Sequence, residues 1–438
     1  MSKLDRKIKA TNGLDLYLEL VELTEPPLIF HRWSFISAVA ACLGRQVWLP
    51  FGEWKIYPNF YTTLIGPPGA RKGVAIGTIS ELLRESGYQY FSGDRSSKEK
   101  FMADWEFGFD KINRGAEPDD KNTNSGIDMV DEVLTPAGRD TTKVSEVFIK
   151  AGELEDFLGS GNSNFISTLT NLWDNLPYYT DRFKNSKSLY IPNPTVNMLG
   201  GATTTTFASI FSTNIIGQGM LSRMLLIHGK GQRLRLTIPP PLPPDLKVMV
   251  IDLLRTIRAT LYGEIGLEKV AYDALDFIYN NFAELPDARF ASYSSRRFTH
   301  LLKLCIIVAA CDLRTTITLD DVIFANTILT YTEKAMPTAL GEFGKSRNSE
   351  VANVVLDEIR NSAGVGGITI RELFAKVSQD VDTTYDLSNL CMKLAESGKI
   401  KKGTKDGDVV LLPVEVKLGV GNQYVNFNLL WEVKLDSF

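Results

Sequence analysis

The chain has 438 residues, 44% of them hydrophobic and 23% charged, with a formal net charge of −4 at pH 7. The length suits roughly three domains, and the apolar content supplies a large core. The charge balance excludes a protein that is basic all over and wraps nucleic acid, so any DNA contact must come from a local patch or channel. Cys42, Cys305, Cys311 and Cys391 make no C-x-x-C pair, and His31, His228 and His300 lie far apart, which gives neither a disulfide framework nor a metal cluster.

Residues 14–24 and 29–43 read as two helices separated by Glu25-Pro26-Pro27, since proline ends one helix and can start the next. Residues 1–56 are expected to form a helical N-terminal layer, closed by a strand or hairpin over 47–54. The opening Met1–Lys7 is polar and charged, and no apolar run reaches the roughly eighteen residues that span a bilayer. The expectation is a cytoplasmic protein with reduced, buried thiols at Cys42, Cys305 and Cys311.

The stretch Tyr61–Gly77 orders a β-prone run, a Gly/Pro turn and a helix-compatible run. In a P-loop, backbone N–H groups and the helix N-terminus bind phosphate oxygens while the lysine reaches the outer phosphates. The usual pattern is G-x-x-x-x-G-K followed by Ser or Thr. Gly66 and Lys72 stand at that spacing, but Arg71 replaces the last glycine and Gly73 replaces the hydroxyl that holds Mg²⁺. The candidate nucleotide-binding set is Gly66, Pro67, Pro68, Gly69, Ala70, Arg71, Lys72, Gly73 and Val74. A plain Pro-Pro-Gly turn between strand and helix is the competing reading.

Further on, residues 74–86 continue the helix, 88–92 suggest a second strand, and Arg95–Lys100 opens another helix. Residues 114–139 are rich in Gly, Asp, Asn, Pro and Thr and read as an exposed loop or insertion. The apolar strand over 144–151 runs into Gly152-Glu153, where a carboxylate can activate water or face Mg²⁺. Glu153 is the candidate for both tasks, Glu155 a second, and Gly152 replaces the usual Asp. Residues 165–172 are helical. The segment 173–187 is polar and basic, and Lys184 and Lys187 suit either a solvated hairpin or a loop that meets DNA phosphates. A strand over 195–202 carries Asn197 at its middle and ends in Thr203 and Thr204, placed to sense the γ-phosphate or to cap a helix. Gly217–Ile227 presents Arg223 after a glycine hinge, a position suited to stabilising a transferring phosphoryl group.

Pro239–Pro244 reads as a stiff linker that ends a core of residues 57–236. Residues 245–345 are then strongly helical, with Arg296 and Arg297 as lid residues or surface caps. Residues 346–438 read as a winged helix: three helices, then a hairpin around Gly403–Gly407. Lys393, Lys401, Lys402 and Lys405 gather on its third helix and wing, a patch that suits a nucleic-acid groove, although many winged helices bind protein.

His31-Arg32-Trp33, Tyr57-Pro58-Asn59, Gly66–Gly73, Gly152-Glu153, Gly201–Thr203 and Gly219–Arg223 form an ordered set across about residues 14–229. In this the chain resembles the helicase-like P-loop ATPases of phages and plasmids, once catalogued only as a domain of unknown function. The resemblance implies an α/β fold with a RecA/AAA+-like P-loop NTPase core, ATP and Mg²⁺, assembly into a homo-hexamer, and single-stranded or forked DNA as substrate. The winged helix is also similar to that of minichromosome-maintenance ring helicases. The expected activity is ATP-driven movement on DNA, with Lys72, Glu153 and Arg223 catalytic and Thr203 at the nucleotide. A DNA-binding initiator with a degenerate P-loop, or an ATP-driven loader of other replication proteins, stands as the alternative.

Overall fold

Two helices come first in the described part of this computed structural model, which describes residues 12–116, 143–181, 188–211, 219–282, 284–285, 287–341, 354–356, 358–362, 366–378, 381, 383–396, 400–405 and 408–413. Helix α1 (Gly13–Leu20) is capped by Asn12, whose side chain accepts from the Leu14 N–H at 2.8 Å. Helix α2 (Leu28–Leu43) follows Pro27 and is buried on all sides from Phe30 to Leu43. A helix apolar all round must lie inside the molecule. Strands β1 (Val47–Phe51) and β2 (Trp54–Ile56) then form the expected hairpin.

Strand β3 (Tyr61–Ile65) leads through the Gly/Pro turn into α3 (Lys72–Glu85), and α4 (Lys98–Phe107) follows, capped by Ser97. Strand β4 (Ser145–Ala151) runs into α5 (Leu154–Leu158) and α6 (Ser163–Leu172). The hairpin β5 (Tyr178–Asp181) and β6 (Leu189–Pro192) precedes β7 (Pro194–Ala202), α7 (Thr204–Ile210) and β8 (Met224–His228).

Four of these strands make one all-parallel sheet in the order β4-β7-β3-β8. Every residue of β3 and β7 is buried, as parallel strands covered on both faces require. The register aligns Ile65 with Ala202 and His228, and Ala151 with Gly200, so these carboxyl ends share one edge of the sheet. Tyr61 aligns with Met198 and Met224 toward the amino edge. The strand expected at 88–92 is reduced to a single parallel bridge, Phe91 to Phe148, beside β4. The Phe148 N–H donates to Tyr90 and the Ser92 N–H to Phe148, and T-shaped contacts of Tyr88 and Phe91 with Phe148 hold the segment there.

After the prolines come α8 (Pro244–Thr260), with Pro244 in its first turn, α9 (Lys269–Asn281), α10 (Arg297–Cys311) and α11 (Leu319–Leu340). The expected breaks at 56 and 245 do not separate compact units: residues 1–343 form one unit and 344–438 another. The reason lies in α2, which packs on the sheet, α3, α8 and α10 at once. Its Trp33 indole N–H donates to Thr332 Oγ1 in α11 at 2.9 Å. The N-terminal layer is therefore the middle of the core, and the later helices complete it. All four cysteines are free and buried, and burial pushes the Cys42 thiol up to about 12.

The second unit has its own core of Val355, Ile359, Leu373, Leu387, Ile400 and Leu411 among others. Thr369 caps α12 (Ile370–Val377) in a reciprocal box with Glu372, and α13 (Thr384–Glu396) follows. Strands β9 (Ile400–Lys405) and β10 (Asp408–Pro413) pair antiparallel, and Ile368 bridges to Leu411. Among the described residues no helix is long and apolar enough to cross a membrane.

Candidate functional site

The turn after β3 sits at the carboxyl edge, where an open parallel sheet binds its ligands. Gly69 (φ +80°) and Arg71 (φ +61°, ψ +27°) are both left-handed, and the Ala70 N–H closes the turn on the Pro67 carbonyl at 3.2 Å. A non-glycine residue in this region costs roughly 1 kcal/mol. Arg71 is held there by Glu25, its Nε 2.7 Å from Oε2 of the buried carboxylate. The other oxygen of Glu25 accepts from the Leu236 N–H, so one acid from the α1–α2 connection ties the turn to the segment beyond β8.

Arg71 leaves the N-terminus of α3 without a side-chain cap. The first amides of a helix have no partner within it, and they favour an anion. Lys72 is the first residue of the helix and is buried. Its Nζ donates to the carbonyls of Gly66 (2.9 Å) and Pro67 (3.2 Å), inside the curl of the turn. Burial lowers the Lys72 pKa, and the negative charge of Glu153 works against that fall.

Two glycines of β7 allow β4 to come this close. A Cβ on Gly201 would meet the Gly152 carbonyl oxygen at 2.5 Å and lie 3.5 Å from Lys72 Cβ, and one on Gly200 would meet Leu154 at 2.9 Å. Lys72, Gly152-Glu153 and the tip of β7 are thereby gathered. Glu153 is exposed at the start of α5. Thr203 serves as a cap: its Oγ1 accepts from the Thr206 N–H and the Thr206 hydroxyl returns to the Thr203 amide. The Thr204 hydroxyl donates to the Ala339 carbonyl at 3.2 Å. Pro67, Pro68, Gly69, Gly73 and Val74 are exposed, and Gly66 and Ala70 are buried behind them.

A phosphate chain fits this donor set. A divalent metal fits less well, since Glu25 is already engaged by Arg71 and Leu236, and no group of three His, Cys, Asp or Glu among the described residues could hold an ion. Gly73 and Gly152 stand where metal-side groups would be, and a Cβ at either meets nothing within 4 Å. Those absences are chemical, not steric.

Arg223 is not brought to this edge. It immediately precedes β8, whose Met224 aligns with Tyr61, so the length of a five-residue strand, about 15 Å, separates it from the turn. It is buried and paired with Asp174 at 2.6 Å. Asn197 is structural, its Oδ1 accepting from the Phe60 N–H at 3.0 Å. Lys184 and Lys187 lie outside the described residues, as does the side chain of Lys405. Lys393, Lys401 and Lys402 are exposed in the second unit.

Sequence reasoning missed Glu25, set in a proline break, and the group around Arg223. That group comprises Trp173, Asp174, Arg296, His300 and Lys303. Lys303 is fully enclosed and donates to Asn59 O (3.1 Å) and Oδ1 (2.6 Å) above the Trp173 ring. Its signal in the sequence is a single lysine inside the apolar run Leu301–Cys311. No family model matches this sequence, and no curated protein matches it.

Proposed function

We propose that the chain is an ATP-binding motor of RecA/AAA+ type that acts on DNA, with a winged helix as its C-terminal unit. The observation that carries the reading is the uncapped, left-handed entry to α3, with the Lys72 ammonium folded into the turn beside Glu153 and the tip of β7. A strand interposed between the lysine strand and the acid strand places three chemistries at one edge: cation, carboxylate and strand-tip hydroxyl.

In this reading the turn amides and Lys72 hold the β- and γ-phosphates of ATP. Lys72 Nζ exchanges its carbonyl acceptors for phosphate oxygens, which are stronger partners because they are charged. Glu153 orients the attacking water and accepts its proton. Thr203 and Thr204 border the γ-phosphate end. Mg²⁺ would offset charge on the phosphate oxygens, with Glu153 as its protein contact. Arg223 lies a strand length from the phosphates held at this turn, and in a ring it would face a phosphate held by another copy of the chain. Helicase action in the replication of a phage or plasmid follows from the resemblance. The exposed Lys393, Lys401 and Lys402 are the DNA-facing candidates of the second unit.

ATP turnover with and without single-stranded DNA tests the reading. DNA stimulates the intact protein, and Lys72→Ala lowers turnover by about a hundredfold or more, roughly 2.7 kcal/mol of transition-state stabilisation. DNA-stimulated turnover unchanged in Lys72→Ala sinks it. The glycines at 73 and 152 favour a second reading, a DNA-bound scaffold that holds ATP without hydrolysing it. That protein would bind ATP through Lys72 yet show no turnover. Strand displacement on a forked duplex separates a helicase from a loader.

A further inference from the structure

The amino edge of the sheet, opposite the phosphate turn, concentrates positive charge around one carboxylate. Asp174 Oδ2 lies 2.6 Å from Arg223, and its Oδ1 lies 3.2 Å from Arg296. Both guanidiniums stand over the Trp173 ring, at 5.8 and 5.5 Å, and the Lys303 ammonium stands 3.6 Å from its centroid. Two guanidiniums thus share one acid, and a third cationic side chain stands on the same ring.

Two donors in this group have no partner among the described residues. Arg223 Nε and Trp173 Nε1 are buried and make no hydrogen bond, although Arg223 is 8% and Trp173 2% exposed. An unmade hydrogen bond at a buried donor costs about 1–3 kcal/mol. His300 does not relieve them: its Nε2 faces the Ser222 carbonyl at 2.9 Å and so carries the proton, and the acceptor this leaves, Nδ1, meets neither donor. Enclosure lowers the Lys303 pKa well below its ordinary value. Asp174 opposes that fall, and the two arginines add to it.

We propose that this edge is a binding site for phosphate groups, in which Asp174 is the internal occupant that an incoming phosphate displaces. Asp174 is suited to leave. Its side chain is 40% exposed, and it sits at the end of α6 rather than inside a strand. Arg296, at 33%, opens the same mouth to solvent. A phosphate offers more acceptor oxygens than a carboxylate, and guanidinium forks match it bidentately. The source is either a small phosphate compound or the backbone of a single strand. The inference does not rest on ATP hydrolysis, and it is tested with the phosphate turn disabled.

The experiment uses the full chain carrying Lys72→Ala, titrated by calorimetry with pyrophosphate and, separately, with a short deoxythymidine oligomer at fixed ionic strength. Adding Asp174→Asn removes the competing charge and tightens binding of at least one probe by about tenfold. Further addition of Arg296→Gln reverses the gain. A response confined to pyrophosphate assigns small phosphates, and one confined to the oligomer assigns the backbone. Affinities within about twofold of the Lys72→Ala parent for both probes overturn the proposal. If Asp174→Asn does not fold, Arg296→Gln alone serves: it removes a partly exposed guanidinium and must weaken one probe several-fold, and unchanged affinity for both again overturns the proposal.

Discussion

At the carboxyl edge of the sheet the backbone is left bare: Gly69, Gly73 and Gly152 carry no side chain, and the turn from Pro67 to Gly69 faces solvent. At the amino edge, one strand length away, Trp173, Lys303, His300 and Arg297 are packed out of water. The same four strands support both edges. One is built from backbone donors at a helix N-terminus that has no side-chain cap. The other is built from long side chains packed against one another, with Arg297 matched by Glu333 and with Arg223 and Arg296 sharing Asp174. The difference separates a place where substitution changes chemistry from one where it changes stability first.

The largest expected effect tests the packed edge. Arg297 is 3% exposed and its Nε lies 2.9 Å from Glu333, which also accepts from Tyr293 at 2.8 Å. Its NH2 reaches Asn326 and Thr330. Removing one member of such a pair leaves a buried charge without compensation, at about 3–5 kcal/mol. Arg297→Ala lowers the urea-unfolding free energy by that order. A loss under about 1 kcal/mol would mean that the edge is not the rigid element described here.

The next effect tests the bare edge. Gly73→Thr with Gly152→Asp adds a hydroxyl and a carboxylate where a Cβ meets nothing within 4 Å. The pair gives the turn two metal-side groups, so Mg²⁺-dependent nucleotide affinity rises by about tenfold, roughly 1.4 kcal/mol, with little change in stability. Equilibrium binding of ATP with and without Mg²⁺ measures it. Affinity that is unchanged by the added groups would place the metal elsewhere or exclude it.

How much of this was legible from the residues follows the same division. The carboxyl edge depends on short-range order: a β-run, a Gly/Pro turn, a lysine, and later strands ending in Gly152-Glu153 and Gly201–Thr203. Each is local, so its chemistry can be read before its position is known. The pairing order of β4, β7, β3 and β8 confirmed that those ends meet. The amino edge joins Asn59, Trp173, Arg223 and Lys303 across more than two hundred residues, as in the Lys303–Asn59 bond. No local period announces such a contact. Arg223 shows the cost: its sequence context suits a phosphate contact at the turn, while its register places it at the opposite edge of the sheet. That residues 1–343 form one compact unit was hidden similarly, because the all-round burial of α2 is visible only once α8 and α10 are seen to cover it.

The smallest effect concerns Arg71, one of four non-glycine residues with a positive φ among those described. Arg71 holds a left-handed conformation that glycine adopts freely, and Arg71→Gly releases about 1 kcal/mol of backbone strain. The substitution also removes the pair with Glu25. Since the Arg71 side chain is 44% exposed, that pair contributes about 0–1 kcal/mol. Glycine further raises the entropy of the unfolded chain by a comparable amount. The three terms nearly cancel, so stability in urea stays within about 1 kcal/mol of the parent. The turn itself responds more than the fold, because Glu25 keeps its bond to Leu236 but loses its hold on the entry to α3. Nucleotide on-rates measured by stopped flow then change while the unfolding midpoint does not. A drop of more than about 2 kcal/mol would instead show that Glu25–Arg71 is a structural tie, and the bare edge would have to be redrawn to include it.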